Sequence, residues 1–154
     1  MRFAITGESG FIATNLAKTI NNNGHEFVSL MHNDTLVEHV RLTHEPCVYG
    51  NSESAWASVL KNLNIDVLIH NAAVVGTDVV ALNSEFSTLS NIAGTHTIAR
   101  AAKKAGVPVC YMGTTVIYDT QMYQDVPITE LSELNPKTFY GIQKLAGEQI
   151  VRHN

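Results

Sequence analysis

The sequence lacks the features that would place it in a membrane, in a secreted disulfide scaffold or on nucleic acid. Its 154 residues include two cysteines, Cys47 and Cys110, and carry a formal net charge of -4. No apolar run approaches the roughly 20 residues that a membrane-spanning helix needs, and no basic cluster suits a phosphate backbone. The start, MRFAITGESG, lacks the long apolar stretch and cleavage site of a signal peptide. These absences predict a cytoplasmic protein with two buried, reduced thiols.

A metal centre is also not expected. The seven histidines are scattered along the chain, and His39 with His44 lacks a cysteine or carboxylate partner at a tight ligand spacing. Apolar residues make up 45% of the chain and charged residues 16%, which is typical of a folded globular domain and excludes a disordered one. The length suits a single compact domain over residues 1–154.

Short apolar runs alternate with helical patterns along the chain. The runs FAIT, EFVSLM, PCVYG, DVLIHNAA and VPVCYMG predict strands at residues 3–6, 26–31, 46–50, 66–73 and 107–113. Helices are predicted after Gly10, over 52–63 with Ser52 as the cap, over 84–105, and from Phe139 toward the end. Because the strands are apolar rather than alternating, both faces of the sheet should be covered. We expect an α/β fold with a doubly wound parallel sheet in the order 3-2-1-4-5.

The helical spacing also predicts which side chains recur on the buried side of each helix. They are Phe11, Ile12, Leu16 and Ile20 in the first helix, Trp56, Val59, Leu60 and Leu63 in the second, and Leu89, Ile92, Ile98 and Ala102 in the third. The strand order would place a crevice where the order reverses, between the first and fourth predicted strands.

The stretch TGESGFIA joins the first predicted strand to the first helix. Its two glycines stand where the chain must turn sharply and approach a ligand, and the helix directs its free amides to the same place. A plain tight turn also uses glycine, but a strand before and a helix after are the context of a dinucleotide-binding loop. The loop predicts pyrophosphate binding, with contacts from Gly7, Ser9, Gly10, Phe11 and Ile12.

The end of the second predicted strand bears on the choice of dinucleotide. It reads SLMHND, with Met31 and His32 where an acid often binds the adenosine ribose. Without an acid there, a 2′-phosphate would not be repelled; no arginine in this stretch would bind one, and His32 is the alternative group that could. The choice between NAD and NADP therefore stays open.

Six motifs occur in the order seen in one enzyme family: TGESGFI, HNAAVVG, NIAGT, GTTVIYD, PITE and YGIQK. The sequence thereby resembles the extended short-chain dehydrogenase/reductases, the NAD-dependent epimerase/dehydratase enzymes of nucleotide-sugar metabolism. The resemblance implies an NAD(P)-binding Rossmann fold and a reaction that begins with hydride transfer from a substrate carbinol to NAD or NADP. Because members of the family are much longer, it also implies a truncated domain from which the substrate domain is absent.

By that resemblance, Tyr140 and Lys144 match the catalytic Tyr-x-x-x-Lys pair. Residues four apart share one helix face, so the ammonium is expected to lower the pKa of the phenol from its ordinary value of about 10. Tyr140 would then take the proton of the substrate hydroxyl, and Lys144 would hold the nicotinamide ribose. Thr114 would bind the reacting oxygen, with Thr115 as the alternative. Asp119 stands where the family usually has glycine, which leaves the local turn open.

The resemblance also implies cofactor contacts after the fourth predicted strand. Asn71, Ala72 and Ala73 would lie at the crevice, where the small alanines let the cofactor approach the backbone. Asn91 matches a family asparagine on the central helix and is expected to have a structural or cofactor-orienting role. His70 and Asn71 are expected to be satisfied by main-chain groups.

Two functions are consistent with these residues. The first is an NAD(P)-dependent nucleotide-sugar epimerase, dehydratase or reductase that uses Tyr140, Lys144 and Thr114. The second is a non-catalytic NAD(P)-binding module, acting as a sensor or as one part of a split enzyme. The expected partners are a nucleotide sugar and, because relatives commonly pair through a four-helix bundle, a second copy of the chain.

Overall fold

The computed structural model describes residues 1–7, 10–30, 52–119 and 125–154. Its elements are β1 Arg2–Thr6, α1 Phe11–Asn22, β2 Glu26–Leu30, α2 Glu53–Asn62, β3 Val67–His70, α3 Thr77–Leu82, α4 Ser84–Thr88, a π-helical segment Leu89–Gly94, α5 Thr95–Ala105, β4 Val109–Tyr111, a 3₁₀ turn Thr115–Ile117 and α6 Phe139–His153. The strand predicted at residues 46–50 lies outside the described residues.

The described strands form a 4-stranded sheet in the order β2-β1-β3-β4, and all neighbours are parallel. β2 lies on one side of β1 and β3 lies on the other. The strand order therefore reverses between β1 and β3, as predicted. The first, second, fourth and fifth predicted strands are these four, in the predicted order. The last two are shorter than predicted, because the chain leaves the sheet after His70 and after Tyr111.

Apolar side chains cover both faces of the sheet, which confirms the predicted layered architecture. One cluster joins the sheet to α2 and α5, and its largest buried members are Trp56, Leu60, Leu68 and Ile98. The other joins Ile5 and Ile69 to Ala13, Ala17 and Ile20 of α1. Ser52 caps α2 as predicted, since its side chain accepts a hydrogen bond from the Ala55 amide.

Four predicted side-chain positions are wrong. Phe11 is 86% exposed and Ile12 is 50% exposed, because small Ala13 and Ala17 take the buried side of α1. Leu89 is 45% exposed. It begins the π-helical segment, whose wider turn breaks the regular 3.6-residue spacing and brings Ser90 and Asn91 inward instead. Cys110 is exposed because β4 is the edge strand of the described sheet.

Within the described residues, no helix combines the length and the apolar character needed to cross a bilayer.

Removing a core side chain should be costly for this fold. Leu60 is fully buried between α2 and the sheet, so Leu60→Ala should lower the free energy of unfolding by about 2–5 kcal/mol. Leu131 is 97% exposed, and Leu131→Ala should change the same quantity by about 0.5 kcal/mol or less. Urea unfolding followed by circular dichroism measures both. Equal losses in the two variants would contradict the assignment of the core.

Candidate functional site

The loops that follow β1, β3 and β4 meet at one edge of the sheet. In parallel strands the carboxyl ends lie at the same edge, where open α/β sheets bind their ligands. The register is aligned there, since Thr6 at the end of β1 pairs with His70 at the end of β3, and His70 pairs with Tyr111 at the end of β4. Gly7, Asn71 and Met112 are therefore the first residues of neighbouring loops.

Gly7 lies against the loop that follows β3. Its φ is +71°, and a Cβ atom there would lie 2.7 Å from the Cα and 2.8 Å from the nitrogen of Ala72. The Gly7 carbonyl accepts hydrogen bonds from the amide of Gly10 at 3.1 Å and from Asn71 Nδ2 at 3.3 Å. The glycine at this position is thus required both by backbone conformation and by space.

A chain of hydrogen bonds holds the ends of β1 and β3 together. Thr6 Oγ1 accepts from the amides of Asn71 and Ala72, both at 3.1 Å, and lies 2.8 Å from His70 Nδ1. On the other side of the ring, His70 Nε2 lies 3.0 Å from Thr95 Oγ1, which donates to the Asn91 carbonyl at 2.8 Å.

These contacts define the tautomer of His70. Because Thr95 uses its only hydroxyl proton on Asn91, it accepts from Nε2–H, which leaves Nδ1 to accept from Thr6. Burial and the nearby Lys144 charge lower the pKa of His70 to about 3, so the ring is neutral at physiological pH. His70 is satisfied by threonine side chains, where the sequence predicted main-chain partners.

The start of α1 suits a negatively charged group. It has no side-chain cap and no acidic residue in its first turn, and its amides open toward the loop after β1. Phe11 and Ile12 are exposed beside it. Of the other predicted contacts, Ser9, Met31 and His32 lie outside the described residues.

Tyr140 and Thr114 meet at the same edge of the sheet. Tyr140 is half-buried in the first turn of α6, which Thr138 caps through the Gly141 amide at 3.0 Å. Burial raises the pKa of Tyr140, and a hydrogen bond from the Thr114 side chain opposes that shift. Thr114 Oγ1 accepts from the Val116 amide at 3.4 Å, which leaves its proton for the phenol. Thr114, rather than Thr115, is therefore the residue beside Tyr140.

Lys144 is directed toward β4. Its Nζ donates to the Met112 carbonyl at 2.6 Å and lies 4.1 Å from the centre of the Tyr111 ring. Burial lowers the pKa of Lys144 to about 8. The expected lowering of the Tyr140 pKa is therefore wrong for this structure: burial dominates at the phenol, and the ammonium is engaged elsewhere.

Tyr111 is a site residue that the sequence did not indicate. Its hydroxyl donates to the Lys144 carbonyl at 3.4 Å, and a Cβ atom at position 147 would collide with it, so Gly147 lets α6 lie against this ring. Burial, then Tyr140 and Glu148, raise the pKa of Tyr111. Its apolar surroundings in the sequence are those of an ordinary strand, so no local signal could have identified it.

Asp119 does not need the glycine conformation that its position suggested. The neighbouring Tyr118 forms an antiparallel bridge with Leu134, so the chain is extended here. The Asp119 carboxylate is buried and pairs with Lys137 Nζ at 3.2 Å. An ion pair thus fixes the segment.

Asn91 is buried and holds the loop after β3. Its Oδ1 accepts from the Val74 amide at 2.8 Å, and its Nδ2 donates to the Val74 carbonyl at 2.9 Å. The same Nδ2 donates to Gln143 Oε1 at 2.9 Å. Gln143 is fully buried and was not among the predicted site residues. Ala72 and Ala73 lie half-buried in this loop, as the predicted crevice requires.

Across the described ranges, no group of three or more His, Cys, Asp or Glu side chains is arranged to hold a metal ion.

Comparison with known proteins gives a consistent result. The model of the NAD dependent epimerase/dehydratase family matches residues 3–154. Methionine adenosyltransferase 2 subunit beta of Xenopus tropicalis is 31% identical over 66% of this chain and 29% of its own length. The dTDP-glucose 4,6-dehydratase of Mycobacterium tuberculosis is 25% identical over 99% of this chain and 48% of its own length.

A solved structure, MoeE5 in complex with UDP-glucose and NAD, superposes with a TM-score of 0.78 at 23% identity. The match covers 98% of this chain and 48% of that one, so it shows the same fold. The chain thus spans less than half the length of these relatives.

The contact between Gly7 and Ala72 can be tested with a matched glycine. Gly7 and Gly24 have almost the same φ, +71° and +72°, but no atom lies within 4 Å of a Cβ at Gly24. Gly24→Ala should cost about 1–2 kcal/mol through backbone conformation alone. Gly7→Ala should cost about 1–3 kcal/mol more, because the new methyl group overlaps the Ala72 backbone. Urea unfolding measures the difference, and equal costs would contradict the close approach.

Stability should depend on pH through Lys144. Its pKa is lowered from 10.5 to about 8, so above pH 8 the unfolded chain binds this proton more strongly than the folded chain. The free energy of unfolding should therefore rise from about pH 8 to about pH 9.5, below the range in which tyrosines titrate. Urea unfolding in Lys144→Met should lack that rise. An unchanged slope in the variant would show that another group is responsible.

Proposed function

The chain belongs to the NAD dependent epimerase/dehydratase family, and we propose that it binds NAD or NADP at the carboxyl edge of its sheet and acts on a nucleotide sugar. The observation that supports this proposal is the position of Lys144, whose ammonium binds the Met112 carbonyl just after β4, with Thr114 and Tyr140 nearby. The loops after β1 and β3 begin at the same edge of the sheet, because the strands are parallel and in register. A cytoplasmic location is part of the proposal.

The residues at the start of α1 fit a dinucleotide. Gly7 turns in the left-handed region with the Ala72 backbone against it, and a Cβ atom at Gly10 would lie 3.2 Å from the Gly7 carbonyl, so the loop has no room for larger side chains at either position. The uncapped helix end favours a pyrophosphate. Phe11, Ile12, Asn71, Ala72 and Ala73 would border the bound group, and Asn91 would hold the loop in place. MoeE5, of the same fold, is solved with NAD and UDP-glucose.

The chain's own groups would move a proton at the substrate oxygen. When bound, the nicotinamide would supply the hydride chemistry. Because burial raises its pKa, Tyr140 is a neutral phenol at physiological pH and suits the role of proton donor to a carbonyl oxygen. Thr114 would bind the same oxygen. Lys144 lies close enough to the edge to hold ribose hydroxyls once its ammonium turns from Met112.

Nucleotide-sugar specificity is proposed from the relatives. The dTDP-glucose 4,6-dehydratase aligns over nearly the whole of this chain, which accounts for 48% of the relative. Groups that select the sugar and the reaction outcome would come from the part of such enzymes that this chain does not match. Epimerisation, dehydration and reduction are therefore all included in the proposal.

A second copy of the chain is the proposed protein partner. Val79, Leu82, Phe86 and Leu89 are exposed apolar residues spaced by three and four along α3, α4 and the π-helical segment. Exposed apolar side chains close together in one segment favour contact with another protein surface. Ile142 of α6 is exposed as well.

A non-catalytic NAD(P)-binding module is the second candidate. One observation favours it: a relative at 31% identity is named as the beta subunit of methionine adenosyltransferase 2. The family fold can therefore occur in a protein named as a subunit of another enzyme. In that case dinucleotide binding would be retained without turnover.

Calorimetry with NAD and NADP, followed by turnover assays with UDP-, GDP- and dTDP-sugars, separates the two functions. The enzyme predicts saturable binding and cofactor turnover with at least one sugar. In a complete, active form, Tyr140→Phe should then lower kcat by about 10²–10⁴-fold while the dinucleotide Kd stays within about twofold. Tyr118→Phe is the matched control and should keep wild-type turnover.

Each other result is also informative. Binding without turnover on any sugar supports the module, and wild-type rates in Tyr140→Phe would remove Tyr140 from the mechanism. If neither dinucleotide binds, both functions are wrong.

A further inference from the structure

We propose that Gln143 is a positioning residue, which ties the helix bearing Tyr140 and Lys144 to the loop that faces Gly7. The link runs from Gln143 through Asn91 to the backbone of Val74. Its consequence for catalysis rests on the proposed function, but the link itself is a property of the folded chain.

Gln143 is fully buried and its amide is fully engaged. Oε1 accepts from Asn91 Nδ2 at 2.9 Å, and Nε2 donates to Ser87 Oγ at 2.9 Å and to Thr88 Oγ1 at 3.2 Å. Removing one partner of a buried polar group leaves the other unsatisfied, which costs more than the bond itself contributes. The amide therefore permits one orientation of α6 relative to α4 and the π-helical segment.

Asn91 carries this constraint to the candidate cofactor loop. It binds both backbone groups of Val74, so the loop 71–76 can shift only if Asn91 shifts too. Gln143 takes the remaining Nδ2 proton of Asn91 and thereby fixes the plane of that amide. The Asn91 carbonyl accepts from Thr95, which continues the network to His70 and Thr6.

The helix α6 is also bound to the end of β4, since Lys144 Nζ donates to the Met112 carbonyl at 2.6 Å. Its closest approaches are at glycines: a Cβ atom at Gly141 would lie 2.7 Å from the Val116 carbonyl, and one at Gly147 would meet Tyr111. Glycines allow the approach but supply no side chain that interlocks with a neighbour. Gln143 lies one residue before Lys144 and three after Tyr140, so a rotation that displaced its amide would move both.

Gln143→Met tests the link. Methionine has a similar length and helix propensity but cannot make these hydrogen bonds. Gln149→Met is the matched control, since Gln149 is exposed on the same helix. We expect hydrogen exchange at the Val74 amide to become about tenfold faster in Gln143→Met, as for the loss of one hydrogen bond, and to stay unchanged in Gln149→Met. The global free energy of unfolding of each variant is measured in parallel. Exchange rates of the variants and the wild type are then compared under conditions in which the Val74 amide exchanges by local opening.

A second readout connects the link to the proposed site. The dinucleotide Kd should rise by about tenfold in Gln143→Met and stay within twofold in Gln149→Met. A merely structural glutamine would lower the melting temperature without changing Val74 exchange or Kd. In Asn91→Leu, which removes the link directly, adding Gln143→Met should produce no further acceleration at Val74, because contacting residues in one network are not additive.

The outcomes separate this inference from the proposed function. Wild-type exchange at Val74 in folded Gln143→Met overturns the inference, whatever the cofactor does. If wild-type protein binds neither dinucleotide, the proposed function fails, while the Val74 measurement still decides the link. If Gln143→Met does not fold, Gln143→Asn is used instead. Its shorter side chain cannot span both partners, so faster exchange supports the link and wild-type exchange overturns it.

Discussion

The in-register parallel pairing of β1, β3 and β4 is the constraint on which the rest of the structure depends. It aligns Thr6, His70 and Tyr111 in one row, so the loops that follow them start side by side. Because every strand runs the same way, chemistry contributed by distant parts of the sequence collects at one edge. The helices on both faces then bury the apolar strands, and the polar groups described here lie at the carboxyl edge.

Two kinds of contact hold the structure together behind this edge: backbone segments that lie very close to each other, and buried polar side chains that hydrogen-bond to one another. Because glycine has no side chain, Gly7 can lie against Ala72, and Gly147 lets α6 lie against Tyr111. The polar groups buried there are satisfied in chains: Thr6 to His70 to Thr95, and Gln143 to Asn91 to Val74. Neutral partners suit this interior, since the same burial lowers the pKa of His70 to about 3 and of Lys144 to about 8.

The sequence predicted local structure well, but it did not predict which distant residues contact each side chain. Four of the apolar runs, the turn at Gly7 and the Ser52 cap depend on neighbouring residues, and the described part of the chain has them. The lowered phenol pKa was wrong because it assumed that residues four apart on a helix act mainly on each other. In the folded chain, Lys144 instead binds a carbonyl 32 residues away in sequence.

The sequence by itself determined the alternation of strands and helices, the turn at Gly7 and the family to which the chain belongs, because periodicity, caps and motif order are properties of short segments. Only the tertiary structure decided that Gln143 is buried, that Leu89 faces outward and that Cys110 lies on an exposed edge. The bond between Asn91 and Gln143 spans 52 residues, and the π-helical turn that presents Asn91 has no signature in composition or spacing. Such features follow from which surfaces meet after folding, and a linear pattern does not contain that information.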